Sequence, residues 1–157
     1  MSLLGNNPPF NVDSWPGRGR TYDVVIWGGT GFTGALAVEY FAKEVTTRNP
    51  DVRWAIGGRN AEKLAAVASS AGAPGADILV GDSDNSDGGL EKAVRSAKVV
   101  MSLVGPFALF GSKLVELCVK HKTHYCDITG EVGWVQEQIK LHHEQASADG
   151  TLIVPMW

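Results

Sequence analysis

Val24-Val25-Ile26-Trp27 runs directly into Gly28-Gly29-Thr30-Gly31-Phe32-Thr33-Gly34, and from there into Ala35-Leu36-Ala37-Val38, followed by Tyr40 and Phe41. The opening run is continuously apolar, as a strand buried on both faces must be. The closing run is a strongly apolar helix. Between them the glycines fit G-x-G-x-x-G from Gly29 and G-x-x-G-x-x-G from Gly28. This spacing carries weight because it follows a strand and opens a helix within one βαβ unit. Glycines allow the tight turn and let the backbone approach a pyrophosphate, while the free N–H groups and the positive end of the helix attract its charge. Gly34 is expected to let the helix pack closely on the sheet, and Thr30 and Thr33 can add hydroxyl donors. With Phe32, these residues form the candidate phosphate loop.

Working outward, the alternation of strand and helix repeats. Strands are expected at about Val52–Ile56, Asp77–Val80, Val99–Val104, His124–Asp127 and Thr151–Val154, with helices beginning near Asn60, then at Leu90–Ala97, after Gly111 and at Trp134–Ala148. Leu64, Val67 and Ala68 give the second helix its apolar face; Leu114, Val115, Leu117 and Cys118 do so for the fourth. A polar, glycine-rich turn covers Asp82 to Gly89. Six strands alternating with five helices through short connections predict an α/β fold, a Rossmann doubly wound parallel sheet in the order 3-2-1-4-5-6. Residues 1–20 carry Pro8, Pro9 and Pro16 among several glycines without apolar periodicity, and are expected to form a flexible arm ahead of a single domain over 21–157.

The end of the second strand selects the cofactor. An NAD site has Asp or Glu there, about 20 residues beyond the glycines, to bind the ribose hydroxyls. This chain has Gly57-Gly58-Arg59. A guanidinium can hold a 2′-phosphate in a bidentate fork, with Asn60 and Lys63 near enough to assist, so NADP(H) is expected over NAD(H). Asp82, ending the third strand, is placed to meet the adenine. Leu103, Val104, Gly105 and Pro106, after the fourth strand, should border the nicotinamide. Asp127, Thr129, Gly130 and Glu131 follow the fifth strand on the same edge, where a structural and a substrate-side role are equally open. No catalytic residue is assigned.

The 157 residues are 44% hydrophobic and 20% charged, a globular composition, and 14 basic against 17 acidic residues leave a net charge of −3. No positive surplus exists for a nucleic-acid backbone or an anionic bilayer. No apolar run approaches a membrane span, and an intracellular, cytoplasmic location is expected. Cys118, His121, His124 and Cys126 lie within nine positions, but their spacing is not that of a usual zinc finger or ribbon, so two free thiols and no metal are expected.

Four motifs in order, GGTGFTG at 28–34, GRNAEKL at 58–64, VGPFALFG at 104–111 and YCDITGE at 125–131, closely resemble the saccharopine dehydrogenase-like oxidoreductases over residues 22–157. The resemblance implies an amino-terminal NAD(P)-binding domain of an enzyme that transfers hydride to or from an imine, carbonyl or enoyl group. Trp27 departs from the smaller or aliphatic residue expected before the glycines. An extended short-chain dehydrogenase is the nearest rival, but no Tyr here has Lys four residues on. A methyltransferase would want an acid where Gly58 and Arg59 stand. A non-catalytic NADP(H)-sensing or interaction module keeps the same fold and stays open. Because the sequence stops soon after its sixth strand, it is expected to be a piece of a longer dehydrogenase that binds cofactor but needs a substrate domain for turnover. Its exposed binding edge would then favour weak homo-oligomers.

Overall fold

The structure, a computed structural model, describes residues 19–156. Six parallel strands, β1 (Tyr22–Trp27), β2 (Trp54–Gly58), β3 (Asp77–Val80), β4 (Ala97–Ser102), β5 (His124–Asp127) and β6 (Ile153–Val154), form one sheet in the expected order 3-2-1-4-5-6. Helices α1 (Phe32–Tyr40), α2 (Ala61–Ser70), α3 (Gly89–Ser96), α4 (Phe107–Phe110), α5 (Ser112–His121) and α6 (Val132–Asp149) cover it. The rod of α1 continues through a π-helical turn, Phe41–Val45, and a last α-helical turn, Thr46–Arg48.

Each central strand feeds two cores because successive side chains point to opposite faces. In β1, Val25 and Trp27 join Leu90, Val94, Leu114, Val115, Cys118 and Trp134 under α3, α5 and α6. Ile26 points the other way, to Val38, Phe41, Ile56, Leu64 and Ala68 under α1 and α2. Burying Val25, Ile26 and Ile56 completely, at about 1.5–3 kcal/mol each, explains why the apolar run has no polar phase.

Strand ends differ from the sequence expectation for identifiable reasons. The second strand starts two residues later and includes Gly57 and Gly58, since Gly57 pairs with Trp27 and Gly58 with Val80. Glycine is a weak strand former, and here only its neighbours hold it extended. A Cβ on Gly57 would sit inside the Trp27 ring, so the missing side chain makes room for the large residue before the phosphate loop. β4 begins at Ala97 directly out of α3 and stops at Ser102, leaving Leu103 and Val104 to turn away as a loop. α4 was not foreseen.

The expected arm over 1–20 lies mostly outside the described residues. Arg20, which is described, donates from Nη2 to the His121 carbonyl at 2.6 Å and from Nη1 to the Val94 carbonyl at 3.1 Å and Thr123 Oγ1 at 3.2 Å. It thereby ties the carboxyl ends of α3 and α5 together beneath the sheet, where cations favour the helix dipole.

Candidate functional site

The phosphate loop is seated by β2 and β4. Gly28 and Gly29 donate their N–H groups to the Gly57 carbonyl at 2.9 and 3.2 Å, and Leu103 N–H donates to the Trp27 carbonyl at 2.8 Å. Gly28 has φ +95°, and a Cβ there would lie 2.6 Å from Val104 Cγ2 and 3.1 Å from the Leu103 carbonyl carbon. A side chain on Gly29 would collide with Ile56, and one on Gly34 with the carbonyl of Gly28. These three glycines are demanded by the protein's own packing. Gly31 is different: its φ of −72° and ψ of 166° suit any residue, and a Cβ would meet only the Gly28 oxygen, at an ordinary 3.5 Å.

Gly31 also caps α1 without a side-chain hydrogen bond, and the first intrahelical bond runs from Ala35 N–H to the Gly31 carbonyl at 2.8 Å. The N–H groups of Phe32, Thr33 and Gly34 therefore have no partner within the helix. Thr30, Gly31, Phe32 and Thr33 are all exposed, and the Phe32 ring is 86% so. Among the described residues these N–H donors have no hydrogen-bond partner, and the loop presents them with the positive end of a helix dipole.

Arg59 follows β2 immediately, is exposed, and makes no hydrogen bond or ion pair with the described residues. Asn60 Oδ1 accepts from Lys63 N–H at 2.9 Å, capping α2, so only its amide nitrogen stays available to a ligand. Lys63 is exposed on the first turn of that helix. Asp82 follows Gly81 at the end of β3, half-buried, its N–H donating to Asp87 Oδ1 at 3.3 Å. Gly81 and Gly89 pack backbone against backbone, which fixes that turn at the rim of the sheet. All the residues assigned to cofactor binding thus stand at the carboxyl ends of β1 to β4 or on the loops and first helical turns that leave them.

The carboxylates beyond β5 prove to be tied into the protein. Asp127, 2% exposed, accepts from Tyr125 Oη at 2.7 Å, Thr129 N–H at 3.0 Å and Met156 N–H at 3.3 Å. Burial and the bond to Asp127 push the Tyr125 phenol far above its ordinary range, so it keeps its proton and serves as a donor. Glu131 receives Phe107 N–H on Oε1 at 2.6 Å and Ala108 N–H on Oε2 at 2.9 Å. This contact joins the segments YCDITGE and VGPFALFG; the sequence placed both on one edge but carried no sign of the bond between them.

The four residues with metal-ligand chemistry are committed within the fold, with Cys126 half-buried in β5 as a free thiol. Cys118 is wholly buried in α5, and burial raises its thiol pKa; His121 Nε2 meets Glu91 at 2.6 Å; His124 Nδ1 accepts from Leu152 N–H at 2.9 Å. Among the described residues no group of three or more His, Cys, Asp or Glu side chains could hold a metal, and no helix is long and apolar enough to cross a membrane. A cavity of about 270 Å³ lies apart from the phosphate loop, between α6 and the β5–β6 edge.

A glycine loop at the switch between β1 and β4, a bare helix N-terminus and a cation after β2 define a dinucleotide-binding Rossmann domain. Residues 24–154 match the model of the saccharopine dehydrogenase NADP binding domain, and the chain belongs to that family. The trans-acting enoyl reductase of Mycobacterium leprae is 36% identical over 137 residues, covering 86% of this chain and 32% of that protein. Its namesake from Mycobacterium ulcerans is 34% identical over the same shares of the two chains. The chain thus spans about a third of the length of the curated relatives it matches. The apo structure of saccharopine dehydrogenase (L-Glu forming) from Saccharomyces cerevisiae superposes with a TM-score of 0.64 at 19% identity, over 85% of this chain and 26% of that one, a likeness of fold.

Proposed function

We propose that this chain is the NADP(H)-holding part of an oxidoreductase that reduces an enoyl, carbonyl or imine group, with NADPH preferred over NADH through Arg59. The observation that carries the reading is the Arg59 guanidinium directly after β2, exposed and without a hydrogen bond or ion pair to the described residues, where the end of β2 holds the phosphate loop by the Gly57 carbonyl. An acid there would repel a 2′-phosphate; a free Arg can fork onto it. The names of the enoyl reductase relatives favour an enoyl substrate.

When bound, the nicotinamide supplies the hydride chemistry. The chain's own part is to hold and orient it: unpaired N–H groups of Phe32, Thr33 and Gly34 for the pyrophosphate, Arg59 with Lys63 for the 2′-phosphate, Asp82 for the adenine side, and Leu103 to Pro106 along the nicotinamide side. Orientation of substrate and exclusion of water need walls on both faces of the nicotinamide. The described residues form one; a substrate domain beyond them supplies the other and covers the exposed Leu109 and Phe110.

Titration calorimetry with Arg59→Ala tests the cofactor choice. A charge-assisted bond of about 1.5–3 kcal/mol predicts a loss of roughly tenfold or more for NADPH, with NADH nearly unchanged. Equal losses for both would remove Arg59 from the phosphate site. Oxidation of NADPH by the longer parent protein with an enoyl substrate, against none by this chain alone, tests the division of labour; parent-like turnover by the short chain would place the catalytic groups within it.

A further inference from the structure

Glu131 is the N-cap residue of α6, on the loop after β5, yet its carboxylate acts on a different loop. Both oxygens are engaged, Oε1 by Phe107 N–H and Oε2 by Ala108 N–H, at 2.6 and 2.9 Å. Glu131 is itself held: its N–H donates to Thr129 Oγ1 at 3.1 Å, and Thr129 N–H donates to buried Asp127 at 3.0 Å. A rigid chain of bonds therefore runs from the end of β5 to the first turn of α4. The Phe107 ring, buried against Trp134 at a centroid separation of 5.7 Å, fixes the same turn from the apolar side.

Four residues upstream of Phe107, the loop is fixed a second time. Leu103 N–H is bonded to the Trp27 carbonyl at 2.8 Å, and Val104 presses on the side of Gly28 where a Cβ would stand 2.6 Å from it. Val104, Gly105 and Pro106 are thus strung between the phosphate loop at one end and the Glu131 carboxylate at the other. Gly105 and Pro106 are both exposed, and the Pro106 carbonyl leads into α4 by accepting from Leu109 N–H at 3.2 Å and Phe110 N–H at 3.1 Å.

We propose that Glu131 is a positioning residue that sets the 103–106 loop against the nicotinamide half of the dinucleotide. The proposal rests on the NADP(H) reading above and deepens it. Two backbone donors 2.6 and 2.9 Å from the two oxygens need a carboxylate, because an amide would turn its own N–H groups toward one of them. Glu131→Gln keeps shape and volume but breaks one of the two bonds.

Two probes separate the halves of the cofactor: NADPH, and adenosine 2′,5′-bisphosphate, which lacks the nicotinamide. Glu131→Gln is expected to weaken NADPH roughly tenfold, the scale of one charge-assisted hydrogen bond, while the bisphosphate binds within about twofold of wild type. Equal binding of NADPH by variant and wild type, or equal losses for both probes, would overturn the positioning role. Failure of the wild-type chain to bind either probe would instead remove the NADP(H) reading itself. Should the variant not fold, amide exchange in the wild type decides: NADPH slows exchange across residues 103–108 and the bisphosphate does not, whereas identical protection by the two probes would overturn the proposal.

Discussion

Gly31 and Gly34 lie in one loop, three positions apart, and their replacement should have opposite consequences. In Gly34→Ala the new Cβ meets backbone, the Gly28 carbonyl carbon at 2.9 Å and the Gly29 carbonyl carbon at 3.0 Å, with the Gly28 oxygen nearer still. Backbone cannot swing aside as a side chain can, so the upper end of the overpacking range, about 3 kcal/mol, applies, less about 1 kcal/mol gained from alanine's helix propensity. A net loss of about 2 kcal/mol lowers Tm by roughly 4–8 °C in a domain of this size. In Gly31→Val the branches project into open crevice, and only a weaker N-cap, about 1 kcal/mol or roughly 2–4 °C, is lost. Thermal unfolding with and without NADPH separates the two roles, since ligand at a hundredfold excess over Kd stabilises by about 2.7 kcal/mol. Gly34→Ala is expected to melt early already in the absence of ligand. Gly31→Val is expected to melt near wild type and not respond, its side chain occupying the space of the pyrophosphate. A normal ligand response in Gly31→Val would refute the reasoning and reduce the loop to a tight turn; an unchanged Tm in Gly34→Ala would show that the helix and loop can part without cost.

Other perturbations follow from the packing and the charges. Lys120 and His121, both bonded to the Glu91 carboxylate, lower its pKa to about 2, so its contribution to stability is full above its ordinary value near 4.5 and fades as pH falls toward 2; urea midpoints of wild type and Glu91→Gln should differ at pH 7 and converge across that interval. Burial lowers the His124 pKa, and its Nδ1 accepts Leu152 N–H, so acidification below its ordinary 6.5 favours states in which the ring is exposed; the protection factor of the Leu152 amide, corrected for the intrinsic exchange rate at each pH, should fall as pH drops through that region, and pH-independent protection would contradict it. Gly57→Ala drives a Cβ into the Trp27 ring and should destabilise by about 1–3 kcal/mol, and in a double-mutant cycle by chemical denaturation the same substitution should cost much less in a Trp27→Val background.

The residues by themselves determined the fold and the chemistry of the phosphate loop. A short apolar run such as Val24 to Trp27, followed by glycines and an apolar helix, reads as a strand covered on both sides, and its regular alternation with helices made the strand order legible in the sequence. The place of Arg59 was legible for the same reason: topology fixes the position directly after β2, where the proposed 2′-phosphate contact falls. Tertiary structure alone decided what the side chains near that edge are committed to. Asn60 spends its carbonyl oxygen on capping α2, Asp127 is consumed by Tyr125, Thr129 and Met156, and Glu131 reaches across to the 107–108 backbone. Whether a carboxylate on a loop faces solvent, substrate or a neighbouring N–H depends on a distance between segments remote in sequence. Local pattern also could not keep Gly57 and Gly58 in a strand, since glycine's preference points the other way and only the ladder to Trp27 and Val80 and the ring lying over Gly57 hold them there. Periodicity reports which face of an element is buried; it carries no information about which polar group across a gap of a few ångströms will claim a hydrogen bond.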